Sequence, residues 1–394
     1  MKTAHRVVKQ SFGGMLCITR PGCPDPTEGL LVTLAKLSTS LCVDGAVDSE
    51  GALSDRWVHG SNAFRRWASW TFLCSPHQEL TTAMSDTRLP SYDDLPELGN
   101  LGVRHSWDVL PKSLGTLALL DEGSAQAGAA SVISGRSFGL SLPLDTFDPP
   151  LFGRKAVGHS VFEASRNTYE DTVDSYNPQS ASQWDGLGHI RARELGFYGG
   201  VTEDDLARSE LGIHHWATRG IVGRGVLLDV ARHLADNGEA WDPFGGDTVG
   251  VDVLEATAAA QNLTLGKGDI LCVRIGWTAE YRRRKASGED MSSTGDRFSG
   301  LSAAEPMARF LWNTGFAAVC SDNPAIESAP GNREDGSLHR RLIPSLGFAL
   351  SELLDLDELA TACVEEQRWS FLFTAAPLPV VGAVSSPANA VAVL

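Results

Sequence analysis

The chain has 394 residues, an ordinary apolar share of 42%, and 49 acidic against 33 basic residues, for a net charge of −16. Such a length suits one large α/β unit or two average domains. The charge repels phosphate backbones and anionic lipid, which argues against nucleic acid and membrane surfaces as partners and favours solubility.

Cys17, Cys23, Cys42, Cys74, Cys272, Cys320 and Cys363 show no paired metal-type spacing. The last three sit in apolar segments, as small core residues of a reducing cytosol do. No apolar run reaches the length of a membrane span, and the N-terminus lacks the pattern of a signal peptide, so the expected compartment is the cytoplasm.

Residues 1–83 carry four of the seven cysteines, clusters such as Arg20-Pro21-Gly22-Cys23-Pro24, and no sustained helical or strand period. Met84-Ser85-Asp86-Thr87 looks like an ordinary protein beginning. The expectation is therefore an atypical extension over 1–83, either a leader, an over-extended reading frame or disordered chain, and a folded domain over 84–394.

Within that domain, Trp107 and residues 110–120 suggest an arm and a short helix, with Gly115-Thr116-Leu117 a turn inside it. Residues 138–144 alternate apolar and small polar side chains, predicting a half-buried strand that Asp148-Pro149-Pro150 ends. A second strand is predicted over 158–162, and a polar loop over 170–182. Residues 204–211 read as a helix capped by Thr202. The apolar runs 225–230 and 268–275 read as buried strands. Helices over 251–262, 306–313 and 353–366 and strands over 317–320 and 370–373 complete the pattern. Strands and helices mix throughout, which favours one α/β domain.

The stretch most loaded with chemistry is residues 179–189. Gln179, Gln183, Asp185 and His189 place two carboxamides, a carboxylate and an imidazole within eleven residues, and Gly186 and Gly188 let groups crowd around one small ligand. Asp185 is a hard oxygen ligand or base, His189 titrates near neutral pH, and Gln183 can ligate through its oxygen or donate through its amide. The step of four from Asp185 to His189 places both on one face if the segment enters a helix. The competing reading is a plain loop turned at Asp185-Gly186 with Trp184 in the core. Distant candidates for completing a metal site are His339 and Glu352, and the pair His214-His215. Trp184, Phe197, Tyr198, His215 and Trp216 are the side chains expected near a substrate.

Gly135-Arg136-Ser137-Phe138-Gly139 matches the nucleophile-elbow pattern, but that pattern needs a helix after the serine, and here the following residues alternate like a strand. Residues 220–225 have glycines at the wrong offsets for a dinucleotide fingerprint, and no Walker loop or His-Glu-x-x-His helix is present. A nucleotide enzyme is disfavoured.

From about Leu95 to Leu394 the chain resembles the cyclase, or kynurenine formamidase-like, hydrolases, the family of isatin hydrolase and trans-dienelactone hydrolase. The resemblance rests on Gly135-Arg136, the stretch 179–189, residues 224–229, residues 268–271 with Gly276-Trp277, Ser321-Asp322-Asn323 with Glu327, His339 with Glu352, and the tail around Ala376-Pro377 and Ser386-Pro387. It implies an α/β fold with a mixed β-sheet core and surrounding helices, of the swivelling β/β/α type, assembled as a homodimer or homotetramer.

The family motif is commonly His-x-Gly-Thr-His-x-Asp-x-x-x-His. Its histidines fall here on Gln179, Gln183 and His189, its threonine on Ser182 and its aspartate on Asp185. The resemblance implies that Asp185 binds a divalent metal, that His189 shuttles a proton, and that His339 and Glu352 complete the metal site. Two imidazole ligands have become carboxamides, as in a subgroup with the Gln-Trp-Asp-Gly version that this chain is similar to. Carboxamides suit Mn²⁺ or Mg²⁺ better than Zn²⁺. The implied activity is hydrolysis, or the reverse ring closure, of a cyclic amide, lactone or N-acyl bond in a small molecule. The alternatives are metal-free acid–base chemistry by Asp185 and His189, and a non-catalytic small-molecule-binding protein on the same fold.

Overall fold

The computed structural model describes residues 89–394. The expectations for residues 1–83 and for a start at Met84, and with them Cys17, Cys23, Cys42 and Cys74, lie outside the described residues.

The described chain enters as an arm pinned to a later helix: Trp312 Nε1 donates to the Pro90 carbonyl at 2.9 Å, and the Tyr92 N–H donates to Asn313 Oδ1 at 2.8 Å. Where a short helix was expected over 110–120, the chain forms only a 3-10 turn, Gly115–Leu119. Gly115 has a positive φ of 55° and lies so close to the Gly347 carbonyl that no Cβ would fit.

Helix α1, Glu122–Ala130, opens on a capping box, with the Asp121 carboxylate accepting the Ser124 N–H at 2.8 Å. Strand β1, Ser137–Gly139, is shorter than the alternation predicted, because beyond it Ser141 makes only an isolated bridge to Leu354. Strands β2, Gly158–Ser165, and β3, Thr168–Asp174, pair only with each other, and every residue in both is exposed. The stretch read as a polar loop from 170 is thus half of a solvated ribbon, polar because neither face is buried.

Strand β4, Gln183–Asp185, follows. Helix α2 is a single turn, Glu203–Leu206; the Thr202 hydroxyl bonds the Asp205 carboxylate at 2.9 Å instead of capping a backbone N–H, and the longer helix predicted there does not form. Helix α3, His214–Arg219, leads into strand β5, Ile221–Leu228. This strand starts four residues earlier than its apolar run, through glycines that are part of the strand; Gly225 carries no side chain because the Phe371 ring of a neighbouring strand occupies that space.

After it come α4 (Val230–Asp236), β6 (Thr248–Val249), α5 (Val251–Ala260), β7 (Ile270–Val273), α6 (Trp277–Ala286) and β8 (Gly300–Leu301). Helix α7, Glu305–Thr314, carries Pro306 in its first turn and stops at Gly315 in the left-handed conformation, and it buries the stripe Met307, Ala308, Leu311 and Trp312. The chain ends with β9 (Ala318–Ser321), α8 (Leu338–Arg341), β10 (Ala349–Glu352), α9 (Asp357–Glu366), β11 (Ser370–Ala375), β12 (Ser385–Pro387) and β13 (Ala390–Val393).

One mixed sheet of nine strands, in the order β1-β13-β11-β5-β7-β9-β10-β4-β12, organises the unit. Strands β5, β7, β9 and β10 pair in parallel, and β7, β9 and β10 are buried at every position, which is why they read as unbroken apolar runs. The antiparallel strand β11 alternates buried and half-buried residues. This is the α/β architecture with a mixed sheet core that was expected. Cys272, Cys320 and Cys363 are buried and free, as small core residues. Among the described residues no helix is long and apolar enough to cross a membrane.

Candidate functional site

In an open sheet with parallel strands, ligands gather at the carboxyl ends of those strands. Glu352 ends β10 and lies directly across from Gln183 on the antiparallel neighbour β4. Facing residues on paired strands share one side of the sheet, so the Gln183 amide meets the Glu352 carboxylate, Nε2 to Oε2 at 2.7 Å. Asp185, two residues along β4, points to the same side. Its Oδ1 accepts from Gln179 Nε2 at 2.7 Å and from Gln183 Nε2 at 3.4 Å.

The fourth wall is the short helix α8. Ser337 caps it, and Glu327, brought in by the loop after β9, accepts the His339 N–H at 2.7 Å and contacts the ring Nδ1 at 3.1 Å. The opposite ring nitrogen, Nε2, is thereby aimed at Glu352 Oε1, 2.8 Å away, and lies 3.8 Å from Asp185 Oδ2. One ligand atom each from Asp185, His339 and Glu352 lie within 4.8 Å of one another.

His189 closes the open side. The segment after β4 does not enter a helix but turns at Gly186, where the His189 N–H donates to the Gly186 carbonyl at 2.9 Å. The side chain still returns to the cluster, with Nε2 at 3.7 Å from Asp185 Oδ2 and at 3.3 Å from Gln179 Nε2. Its side chain is 25% exposed against 1% for Asp185, so His189 is the member that solvent or a substrate reaches.

Burial works against charge throughout this cluster, and the neighbours decide the outcome. It would raise Asp185, yet His189, His339 and the Gln179 amide hold that carboxyl below the usual range. Glu352 is pushed up, first by burial and then by Asp185. Burial opposes the His339 cation, but the pull of Asp185, Glu327 and Glu352 outweighs it and holds the imidazole well above its ordinary value. Burial lowers His189, and Asp185 only partly offsets this, which leaves it a neutral acceptor at pH 7.

Two buried oxygens of the cluster, Asp185 Oδ2 and Gln183 Oε1, have no hydrogen-bond donor. Orphaned acceptors cost stability unless something satisfies them. Together with a carboxylate pair and an imidazole converging on one point, they fit a divalent cation that accepts oxygen and nitrogen ligands. Gln179 turns its amide nitrogen toward Asp185 and His189, as Gln183 turns its own toward Glu352 and Asp185, so both carboxamides present N–H donors to the acids.

The aromatic residues expected near a substrate are elsewhere. Trp184 alternates to the other side of β4, fully buried, with its ring edge-on to Trp216 and Phe373 and its Nε1 donating to the Ala388 carbonyl at 2.9 Å. Trp216 donates to the Ser113 carbonyl at 3.1 Å, and the Tyr198 hydroxyl meets Ser106 Oγ at 3.2 Å. These three and Phe197 belong to the main hydrophobic core. His215 packs on His214, ring centroids 4.1 Å apart, and neither histidine joins the cluster. Ser137 sits at the start of an edge strand paired with Val393, without the helix a nucleophile elbow requires.

Two residues not singled out for a role beforehand are at the site. Glu327 orients His339. Arg154, just past the 3-10 turn Leu151–Gly153, donates through Nη1 to the Gln179 carbonyl, and its charge acts on Asp185, Glu352 and His189.

No curated protein matches the chain. A crystal structure described as a novel cyclase is similar at 26% identity and a TM-score of 0.64, covering 74% of this chain and 99% of its own. Isatin hydrolase A from Labrenzia aggregata, bound to benzyl benzoate, is 15% identical with a TM-score of 0.48, covering 67% of this chain and 94% of that one. A "predicted metal-dependent hydrolase" from Bacillus stearothermophilus is 16% identical with a TM-score of 0.40, over 66% of this chain and 98% of that one. The family model described as "Putative cyclase" matches residues 138–328, a segment that contains Gln179, Gln183, Asp185, His189 and Glu327 and stops short of His339 and Glu352. Residues 138–328 thus match the cyclase family model, and the chain shares the fold of the structure described as a novel cyclase.

Proposed function

We propose that this protein is a metal-dependent hydrolase that opens, or in reverse closes, a cyclic amide, lactone or N-acyl bond of a small molecule. The observation that carries the reading is the convergence of Asp185, His339 and Glu352 within 4.8 Å beside two orphaned buried oxygens, with a reachable imidazole next to them.

Asp185, His339 and Glu352 would hold the ion; Gln183, whose amide nitrogen faces Glu352, would add an oxygen on turning its amide over. When bound, it supplies Lewis acidity to a carbonyl oxygen and acidifies water. The carboxamide and carboxylates favour Mn²⁺ or Mg²⁺ over Zn²⁺. Everything else is done by the chain. Neutral His189 accepts a proton from the attacking water and returns it to the leaving nitrogen or oxygen. Gln179 Nε2 fixes both Asp185 and the His189 ring by donating toward each. Glu327 holds His339 so that Nε2 faces the cluster. Burial of Asp185 and Glu352 keeps bulk water from competing for their oxygens.

The test is the metal content of the purified protein by inductively coupled plasma mass spectrometry, followed by a screen of lactones, cyclic imides and N-acyl anilines with Mn²⁺, Mg²⁺ or Zn²⁺ added. About one divalent ion per chain, lost in D185A together with turnover, is the expected result. Turnover that persists in metal-stripped protein would replace this reading by acid–base chemistry at His189.

A further inference from the structure

We propose that Arg154 is the anion-recognising residue of this site, seating a carboxylate of the substrate that is separate from the bond to be cleaved. This rests on the hydrolase reading for its word "substrate", but the binding seat itself does not.

Arg154 is partly buried, and burial disfavours its charge. Some partly buried arginines of the unit have acids to compensate: Arg274 pairs with Asp229 and Asp357 at 2.9 Å each, and Arg224 with Asp269 at 3.3 Å, whereas Arg104 and Arg341 bond backbone carbonyls away from the acidic cluster. Arg154 forms no such pair among the described residues. One N–H goes to the Gln179 carbonyl, its guanidinium lies over the Phe152 ring at 5.0 Å, and its other donors bind no described residue. The acids it faces, Glu352 and Asp185, attract it from beyond pairing distance.

Those two carboxylates converge with His339 on the candidate metal point, so neither is free to turn toward Arg154. A guanidinium left with unused donors, anchored one bond away from the Gln179 backbone and bordering the reacting groups, is built to take a planar anion through two parallel hydrogen bonds. The ring of Phe152, 52% exposed, gives such a ligand an apolar edge to lie against. The chemistry this selects is an aryl or alkyl carboxylate that also carries the hydrolysable bond.

The probes are benzoate and its neutral isostere benzamide, titrated calorimetrically into the purified full chain. Wild type should bind benzoate at least about tenfold more tightly than benzamide, as expected for charge-assisted hydrogen bonds. R154Q and R154M should lose that preference while affinity for benzamide stays the same. H189Q should retain it, since His189 lies outside the seat; a wild type that shows the preference but turns over none of the screened lactones, cyclic imides or N-acyl anilines sinks the hydrolase reading alone. A wild-type preference below twofold, or one that survives in R154Q or R154M, overturns the anion seat. Should neither variant fold, the wild-type ratio decides.

Discussion

Glu327 grips His339 from two directions, through the backbone N–H at 2.7 Å and the ring Nδ1 at 3.1 Å. The first bond satisfies a helix-terminal donor and the second fixes the ring, so one carboxylate sets both where the histidine sits and which nitrogen it presents. E327Q should therefore weaken divalent-ion binding by about 10- to 100-fold while leaving far-UV circular dichroism unchanged. Unchanged ion affinity would show that α8 alone positions the ring.

By its resemblance to the family motif Gln183 takes the place of an imidazole, and its Oε1 has no donor. Q183H should shift the preference of the site toward Zn²⁺ over Mn²⁺ by at least about tenfold, because imidazole is the better ligand for the later metal. Competitive loading with both ions, read as metal content per chain, measures it. A ratio that does not move would mean that residue 183 does not touch the ion.

Trp184 lies between the two metal-side residues in sequence but on the core side of β4. W184A should cost about 3–5 kcal/mol of stability in urea denaturation, the range for removing a large buried aromatic. W184F should cost less, losing chiefly the bond to the Ala388 carbonyl. In folded W184F, ion affinity should match wild type; a large loss there would return Trp184 to the site.

Asp269 supplies the pH dependence that is easiest to isolate, since it lies away from the candidate metal cluster. Burial pushes its carboxyl up to about 6, against the opposing pull of Arg224 and the Gly266 N–H. In the unfolded chain an aspartate titrates near 3.9. Between these values the folded form binds the proton more tightly, so the contribution of Asp269 is full below about pH 4 and is lost as pH rises through about 6. The difference in melting temperature between wild type and D269N should accordingly shift in favour of D269N as pH rises from about 4 to 7. A flat difference would refute the assignment.

The long apolar runs at β7, β9 and α7 were legible because burial on both faces, or along one stripe, leaves a periodic trace. Of the ribbon β2–β3 only the start of β2 was legible, as the strand over 158–162; β3, with two wet faces, looks like a loop. At the site, Asp185 and His189 were visible as neighbours, although the turn that brings them together is not the helix their spacing suggested. His339 and Glu352 lie more than 150 residues from Asp185; residue type offered them alongside His214 and His215, and the ordered resemblance chose between the two pairs. The misplacement of Trp184 had a signal available: if Gln183 and Asp185 share a strand face, the residue between them cannot. Arg154 had none, because its significance comes from the absence of an acid beside it, which only the folded chain reveals.

The ribbon β2–β3 is tethered by two short stalks whose far ends are Arg154 and Gln179, and it pairs with no other described strand. An isolated pair of strands is barely stable in water. Its amides should exchange with solvent far faster than those of β7 or β9. It can be lengthened, recoloured with charge or replaced without disturbing the core, yet any such edit tugs on the two residues that frame the reacting groups. That makes it a handle: a place where the surface can vary while the nine-stranded sheet stays as it is.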